Sequence, residues 1–249
     1  MDIFAFVGII VGTTMILGAQ AMEGGNVGQL LQITAGMIVF GGTAGGVIVS
    51  FPPDDLKTGL KMLKTVVFPP QVDYPKLIQE IVGFATKARK EGVIILEKEA
   101  KNASDPLLAM GLEAVADGAD PTLVQGMMEN QIGQIEEMVK KGAAIWESAG
   151  GYLPTFGIIG AVIGLIQVMQ NLSDPSKLGA GIAVAFVATV YGLYAANLIF
   201  IPCGTRIKAN YQKLILAKEI MLEGILAIQA GESPALIERK LNSYLLKDA

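Results

Sequence analysis

The sequence contains no histidine and a single cysteine, Cys203. One cysteine cannot form an internal disulfide, and without histidine the common zinc sites and the nucleophile and base pairs of hydrolases are missing. Lysine and arginine form no block interleaved with aromatic residues of the kind that binds nucleic acid. We therefore expect no catalytic residue, no metal or cofactor site and no nucleic-acid partner.

Charge is scarce as well. Charged residues make up 17% of the 249 residues, hydrophobic residues make up 52%, and the mean hydropathy is +0.51. Such values are typical of membrane proteins rather than of soluble domains of this length. The apolar N-terminal run has no basic region before it, so we expect a retained membrane helix rather than a cleaved signal peptide.

Four uncharged runs are long enough to cross the hydrocarbon core of a bilayer, which takes about 20 residues. They cover residues 3–22, 24–53, 148–173 and 178–205. The sequence therefore predicts an all-α polytopic membrane protein with four transmembrane helices and a helical cytoplasmic domain. Its expected segments are transmembrane helices 1 and 2 (1–53), the cytoplasmic domain (54–147), transmembrane helices 3 and 4 (148–205) and a cytoplasmic C-terminal helical tail (206–249).

The distribution of basic residues predicts the orientation. Residues 54–147 contain 11 lysines and arginines, residues 206–249 contain 7, and only Lys177 lies outside these segments. Because cytoplasmic loops carry the excess of basic residues, both long segments and both termini are predicted to be cytoplasmic.

Apolar spacing and turn residues predict helices over residues 75–99 and 121–145 of the cytoplasmic domain. In the tail, a helix is expected up to Gly231, and Ser233 with Pro234 can begin a second one. The tail is expected to fold back onto the cytoplasmic domain.

Small residues recur at four-residue spacing in two of the spans. The pairs are Gly41 with Gly45, Gly42 with Gly46, and Gly160 with Gly164. This spacing lets helix backbones approach closely. It fits an interface between subunits and packing within one chain equally well.

Prolines and threonines are the unusual residues within the spans. Pro154 is expected in the first turn of span three, where its missing N–H costs little, with a hinge or gate as the functional alternative. Pro202 is expected to end span four. Thr189 lies near the middle of span four, where its hydroxyl either bonds to a carbonyl one turn earlier or meets a translocated ion.

No Asp, Glu, Lys or Arg lies deep in any of the predicted spans. Buried carboxylates in membrane helices are costly and usually mark ion pathways. The chain alone is therefore not expected to move protons.

Five segments carry a resemblance to a known family. They are GGYLPTFGIIGAVIGL in span three, AVAFVATVYGLYAANLIFIP in span four, ARKEGVIILEKE and AVADGAD in the cytoplasmic domain, and EIMLEGILAIQAGESPALIERKL in the tail. With these motifs, over nearly its whole length, the chain resembles the MotA/PomA family, the larger subunit of the bacterial flagellar motor stator.

The resemblance implies a subunit of the bacterial inner membrane. Five copies would surround the single transmembrane helices of a dimer of a MotB-like partner that binds peptidoglycan. The partner would supply the missing aspartate, inward ion flow would turn the ring, and the cytoplasmic domain would push the rotor protein FliG.

The same motifs imply roles for single residues. Pro154 matches the family proline implicated in coupling ion flow to motion, Pro202 matches the proline that closes span four, and Thr189 matches a threonine that faces the partner's aspartate. Ala161 stands where sodium-driven relatives carry a threonine. Sodium needs several oxygen ligands, whereas a proton needs only the carboxylate, so we expect H+ as the transported ion, with Na+ the alternative.

In the cytoplasmic domain, Arg89 and Glu97 match the charged residues that contact the rotor, and Lys90 extends the basic end. A solvated helical face is the alternative for any such cluster. Lys98 follows Glu97 directly, which weakens the acidic end relative to sodium-type relatives.

Three other functions fit part of the sequence. An ExbB/TolQ-type transducer that energises an outer-membrane process is the alternative with the same ion-driven design, but those relatives have three spans. A channel or transporter acting alone should show ionisable residues in the spans or broken helices in repeated halves, and the sequence has neither. A membrane scaffold without ion chemistry fits the composition only.

Overall fold

The structure is a computed structural model that describes residues 3–245, and every regular element in that range is helical. The first elements are α1 (Ile3–Met22), a 3-10 turn (Val27–Leu30) and α2 (Ile33–Ser50). Four helices follow: α3 (Pro53–Val67), α4 (Tyr74–Glu91), α5 (Ile95–Ala100) and α6 (Pro106–Ala116). The last elements are α7 (Pro121–Gln170), α8 (Pro175–Ala195), a π-helical segment (Ala196–Phe200), α9 (Ile201–Gln229) and α10 (Pro234–Asn242).

Four helical stretches are long and apolar enough to cross a membrane, as predicted. They are Ile3–Met22, Ile33–Ser50, Pro121–Gln170 and Leu178–Gln229. The first matches its predicted run. The chain is thus an all-α membrane protein with four candidate spans.

The second span begins later than the predicted residue 24. Gly24 adopts a φ of +80°, a left-handed conformation that suits glycine and stops α1 from continuing. Asn26 then caps the 3-10 turn, because its side chain accepts a hydrogen bond from the N–H of Gly28 and its own N–H donates to the side chain of Gln29. These local bonds keep residues 24–32 out of the span.

Two compact units make up the fold. The first contains residues 1–69 and 139–210, and the second contains residues 70–138 and 211–249. The first unit includes the four apolar stretches of the predicted spans together with α3. The predicted boundaries between membrane and cytoplasm stay predictions, because packing defines these units.

In the first unit, the backbones of spans three and four touch through glycines. A Cβ atom added to Gly164 would lie 2.6 Å from the carbonyl oxygen of Gly181 and 2.7 Å from the amide nitrogen of Ala185. One added to Gly160 would lie 2.5 Å from the Cβ of Ala188. Gly160 and Gly164 therefore serve packing within the chain, one of the two alternatives that their spacing allowed.

The glycines of the second span divide between two roles. Gly42 and Gly46 face aromatic side chains of span three, with Phe156 beside Gly42 and Tyr152 beside Gly46. Gly41 and Gly45 have no atom of the described chain within 4 Å of an added Cβ. Only the pair Gly42 and Gly46 is thus used for packing within the chain.

Tyrosines of span four connect it to the first two spans. The hydroxyl of Tyr191 donates to the carbonyl oxygen of Leu30 and accepts from the N–H of Gln32 at 3.1 Å. The hydroxyls of Tyr194 and Thr13 form a second bond. Buried tyrosine hydroxyls need such partners, and here the bonds fix the positions of helices that are otherwise held by apolar contacts.

The second unit has its own apolar core. Its fully buried side chains include Ile81, Leu108, Ile225 and Leu241, which come from α4, α6, α9 and α10. The predicted return of the tail onto this region is confirmed, because Ile237 and Leu241 of α10 lie in the same core. Ser233 caps α10 by accepting from the N–H of Leu236, also as predicted.

Ion pairs join elements of the second unit that are distant in sequence. Lys218 is only 8% exposed, and its ammonium lies 2.6 Å from the carboxylate of Asp105, which also caps α6. Lys240 donates to Glu223, and this bond raises the pKa of Lys240. A buried pair of this kind specifies register, since either charge alone would be costly to bury.

The close approach of spans three and four predicts that a larger residue at the contact lowers stability. Gly164→Ala should lower the free energy of unfolding by about 1–3 kcal/mol, because the added methyl group meets backbone atoms that cannot rotate away. Gly179→Ala on α8 is the matched control, since an added Cβ there has no neighbour within 4 Å. Thermal unfolding of the two variants in detergent measures the difference, and equal midpoints would contradict the packing.

Candidate functional site

Pro154 lies inside α7 rather than at the start of a helix. The helix begins at Pro121, so the expectation of a proline in the first turn is wrong. A proline inside a helix has no N–H to donate to the carbonyl one turn earlier, here that of Gly150, and its ring crowds that carbonyl. The helix is therefore weakened at Pro154, which favours the hinge alternative.

Span four has a glycine opposite Pro154. A Cβ atom added to Gly192 would lie 2.5 Å from the carbonyl oxygen of Leu153 and 3.1 Å from the Cα of Pro154. Gly192 was not among the predicted functional residues, although YGLY is the only place in span four where glycine stands between two aromatic residues. Its role is to let the two backbones meet beside the proline.

Thr189 lies one turn before Gly192, against Gly157 of span three. A Cβ atom added to Gly157 would lie 3.4 Å from the Cα of Thr189. The half-buried hydroxyl donates to the carbonyl oxygen of Ala185 at 3.2 Å, which is the expected bond to the preceding turn. A hydroxyl that donates once still has oxygen lone pairs free to accept a hydrogen bond.

Ala161 is half-buried and lies one turn after Gly157. The structure thus brings Pro154, Ala161 and Thr189 to the same crossing of spans three and four. Because Ala161 has no hydroxyl, Thr189 brings the side-chain oxygen to this part of the crossing.

Pro202 belongs to a different surface. It lines a cavity of about 250 Å³ together with Phe4, Gly8 and Leu198, between the first and fourth spans. It does not end the helix as expected, since α9 continues to Gln229. The π-helical turn Ala196–Phe200 ends two residues before Pro202. Such a turn rearranges the backbone hydrogen bonds that a proline would otherwise break.

In the second unit, Arg89, Lys90 and Glu97 surround one turn. The predicted helix over 75–99 is broken there, because Gly92 has a φ of +88°, which favours glycine, and its N–H caps α4 by donating to Ala88. Arg89 and Lys90 lie in the last turn of α4, and Glu97 lies in the first turn of α5. We call residues 89–97 the charged turn.

The charged side chains of the charged turn are exposed, whereas Leu96 within it is buried. Arg89, Lys90 and Glu97 form no ion pair within residues 3–245. Glu99 behaves differently, because its carboxylate lies 2.7 Å from the ammonium of Lys87. Glu97 is therefore exposed and unpaired within this range, and the exposed Glu91 adds a second carboxylate to the turn. The apolar side chain of Ile94, 74% exposed, lies between them in sequence.

Thr43 lies within the second span. It is 4% exposed, and its hydroxyl has no hydrogen-bond partner within residues 3–245. Thr13 and Thr189 bond to the preceding turn, so Thr43 differs from them. Within the same described range, no group of three or more acidic or cysteine side chains could hold a metal ion.

Two family models match the chain. The MotA/TolQ/ExbB proton channel family matches residues 99–220, and the N-terminal region of motility protein A matches residues 6–92. Motility protein A of Helicobacter pylori is 34% identical over 245 residues, which cover 98% of this chain and 95% of that protein.

Solved structures agree. C. jejuni MotAB matches with a TM-score of 0.93 and 32% identity, covering 100% of this chain and 98% of the other. The flagellar MotAB stator complex from Bacillus subtilis matches with a TM-score of 0.86 and 30% identity, covering 97% and 95%. The chain therefore belongs to the MotA/PomA family of flagellar motor stator subunits.

Proposed function

We propose that this stator subunit works with a MotB-like partner to couple the inward flow of protons to rotation. It does so in the bacterial inner membrane, with both termini in the cytoplasm and five copies around a partner dimer. The observation that carries the proposal is the crossing at Pro154 and Thr189, where a helix weakened by proline lies beside a hydroxyl with free acceptor lone pairs. The ExbB/TolQ-type alternative is not favoured, because the two matched structures are MotAB proteins.

The partner supplies the titratable carboxylate. No Asp, Glu, Lys or Arg side chain lies near the middle of the apolar stretches of the four candidate spans. The group that binds the proton must therefore belong to another chain. The exposed faces of spans three and four are apolar, with Ile158 59% and Phe186 71% exposed. A single transmembrane helix can pack on such a face.

The energy available is sufficient for a conformational step. One elementary charge that crosses 100 mV of membrane potential releases about 2.3 kcal/mol. The partner's carboxylate is neutral when protonated and can then donate a hydrogen bond to Thr189. Loss of the proton leaves an anion, which needs donors or water instead. This change in bonding biases the bend of α7 at Pro154.

The charged turn transmits the motion to the rotor protein FliG. Arg89, Lys90 and Glu97 are exposed, and the exposed apolar residue Ile94 lies between them in sequence, so the turn presents charges of both signs beside an apolar side chain. Exposed charge pairs give weak affinity and fast, salt-sensitive association. A contact that must form and break during rotation requires these properties.

The role of Pro154 is tested by Pro154→Ala. Alanine restores the N–H that donates to Gly150 and removes the weak point of α7, so the variant should assemble with its partner but give no rotation. Co-purification with the partner measures assembly, and rotation of tethered cells measures torque. Pro52→Ala, at the cap before α3, serves as a control proline. Normal rotation of the Pro154 variant would contradict the role.

Charge reversal tests the charged turn. Arg89→Glu and Glu97→Lys should each reduce swimming several-fold, and charge reversal on FliG should partly restore it. Arg239→Glu is the matched control, because Arg239 is exposed in the same unit but lies on α10. If neither reversal at the charged turn changes swimming, these residues belong to a solvated helical face and do not contact the rotor.

The transported ion is tested by swimming speed as a function of sodium concentration, with and without a protonophore. Proton coupling requires that speed be independent of sodium and be lost when the protonophore collapses the gradient. Ala161→Thr, which adds a hydroxyl one turn after the Gly157 that meets Thr189, should increase any dependence on sodium. Speed that follows sodium and survives the protonophore in the unmodified protein would overturn the assignment.

A further inference from the structure

One face of α3 combines exposed lysines with an exposed leucine. Its members recur at positions i, i+3, i+4 and i+7, so they lie on one side of the helix. We call this set the lysine face, and it consists of Lys57, Leu60, Lys61 and Lys64. Leu60 is 63% exposed, and the three lysines are exposed as well. The lysine face therefore lies on the outer surface of the first unit.

The opposite side of α3 is held against other elements of the first unit. A Cβ atom added to Gly59 would lie 2.7 Å from Cδ1 of Ile145 on α7. Nε1 of Trp146 donates to the carbonyl oxygen of Gly59 at 3.0 Å, and Nδ2 of Asn210 donates to the carbonyl oxygen of Thr65 at 2.7 Å. These contacts fix the rotation of α3 about its axis, so the lysine face stays outside.

Both ends of α3 lie beside the ends of membrane spans. The helix starts at Pro53, and the second span ends at Ser50. Near the other end of α3, Val66 lines a cavity together with Phe4, which lies in the first turn of the first span. Consecutive spans cross the membrane in opposite directions, so the start of the first span and the end of the second lie at the same boundary. The helix α3 therefore runs along this boundary.

Leu60 marks the edge of the lysine face that is nearer the hydrocarbon. It lines an apolar cavity together with Phe40 and Ile48 of the second span, and Ile48 is 66% exposed. The apolar surface of the second span thus continues onto α3. Lysines beside such an edge can bury their methylene chains and keep the ammonium groups at the level of the headgroups. This pattern is typical of helices that lie in the plane of a membrane interface.

Most of the positive charge on the lysine face is not neutralised. Lys61 and Lys64 form no ion pair within residues 3–245. The ammonium of Lys57 lies 3.1 Å from the carboxylate of Asp54, but these side chains are 71% and 93% exposed, and such surface pairs are weak. The other carboxylate of α3, that of Asp55, also lies in the first turn. The later turns of α3 therefore present cations alone.

We propose that the lysine face binds the anionic headgroups of phospholipids at this membrane boundary, with Leu60 at the edge of the hydrocarbon. A surface of anionic lipid attracts lysines that lie next to a span, and a lipid without net charge attracts them less. Because α3 is bonded to Trp146, lipids bound there would also hold α7 at the boundary. The proposal requires the four spans and does not depend on the coupling of ion flow to rotation.

Trp146 supplies the probe for the test, because it is the single tryptophan of the chain and contacts α3. The complex of this chain with its partner subunit is placed in phosphatidylcholine nanodiscs that contain increasing fractions of dibrominated phosphatidylglycerol or dibrominated phosphatidylcholine. Bromine quenches tryptophan fluorescence at short range, so the two titrations give the relative affinity for anionic and neutral lipid. Trp146→Phe measures the signal that comes from the partner.

The unmodified protein should prefer phosphatidylglycerol by about five-fold for each unpaired lysine at low salt, and by less at high salt. The double variant Lys61→Gln and Lys64→Gln should lose most of this preference. The matched control is Lys76→Gln with Lys101→Gln, which removes the same charge from exposed positions of the second unit and should leave the preference unchanged.

Five results would overturn the proposal. Equal affinity of the unmodified protein for the two lipids, or an unchanged preference in the Lys61 and Lys64 variant, would leave the lysine face without a lipid ligand. Loss of the preference in the control as well would assign it to net charge. No quenching by either lipid would place α3 away from the bilayer.

The fifth result concerns assembly. If the Lys61 and Lys64 variant loses the oligomeric mass of the unmodified complex in detergent, the lysine face contacts another copy of the chain instead of lipid. Quenching and mass are measured without ion flow or rotation, so these results are independent of those that test the proposed function.

Discussion

The close contact between the backbones of spans three and four is the constraint on which the rest of the site depends. Gly157 and Gly160 on one helix meet Ala188 on the other, Gly164 meets Gly181, and Gly192 meets the backbone of Leu153 and Pro154, at distances that leave no space for larger side chains. Helices in a membrane gain nothing from the hydrophobic effect when they associate, so this approach, with its van der Waals contacts, supplies the packing energy. It also fixes which residues face each other, and so it places Pro154 beside Gly192 and Thr189 beside Gly157.

The same constraint explains why the chain lacks a charge of its own in the spans. A carboxylate on either helix at this crossing would have no water and no space for a counter-ion, and burial of an unpaired charge is costly. A carboxylate on a separate helix avoids this cost, because it can titrate at the exposed apolar face rather than inside the pair. The absence of ionisable side chains is thus a condition for close packing, and it makes function depend on a partner.

Much of this architecture could be predicted from the sequence, and the failures concern where single prolines and glycines interrupt the helices. The four spans, the helical second unit, the return of the tail and the cap at Ser233 follow from composition, apolar spacing and turn residues, all of which are local. Gly92 was misjudged because its left-handed conformation breaks the helix, although no atom lies within 4 Å of a Cβ added there. Pro154 and Pro202 were misjudged because whether a proline ends a helix depends on the packing around it. The π-helical turn before Pro202 and the glycine opposite Pro154 supply that packing. The pairing of Lys87 with Glu99 is likewise tertiary, and without it the sequence could not show which of Glu97 and Glu99 is the exposed acid.

Glycine packing and proline also act together in a mechanical sense. Interlocked side chains would resist sliding, whereas smooth backbone surfaces made of glycine permit small rotations with little loss of contact. Pro154 removes a backbone hydrogen bond of α7 at the level of Gly192 in span four. The weakened turn of α7 therefore packs against a residue that has no side chain. A bend there changes the direction of residues 155–170 without disrupting an interdigitated core. Bending energy is therefore low at the one level where the titrating group of the partner is expected to lie, and a proton-dependent hydrogen bond of modest strength is sufficient to bias it.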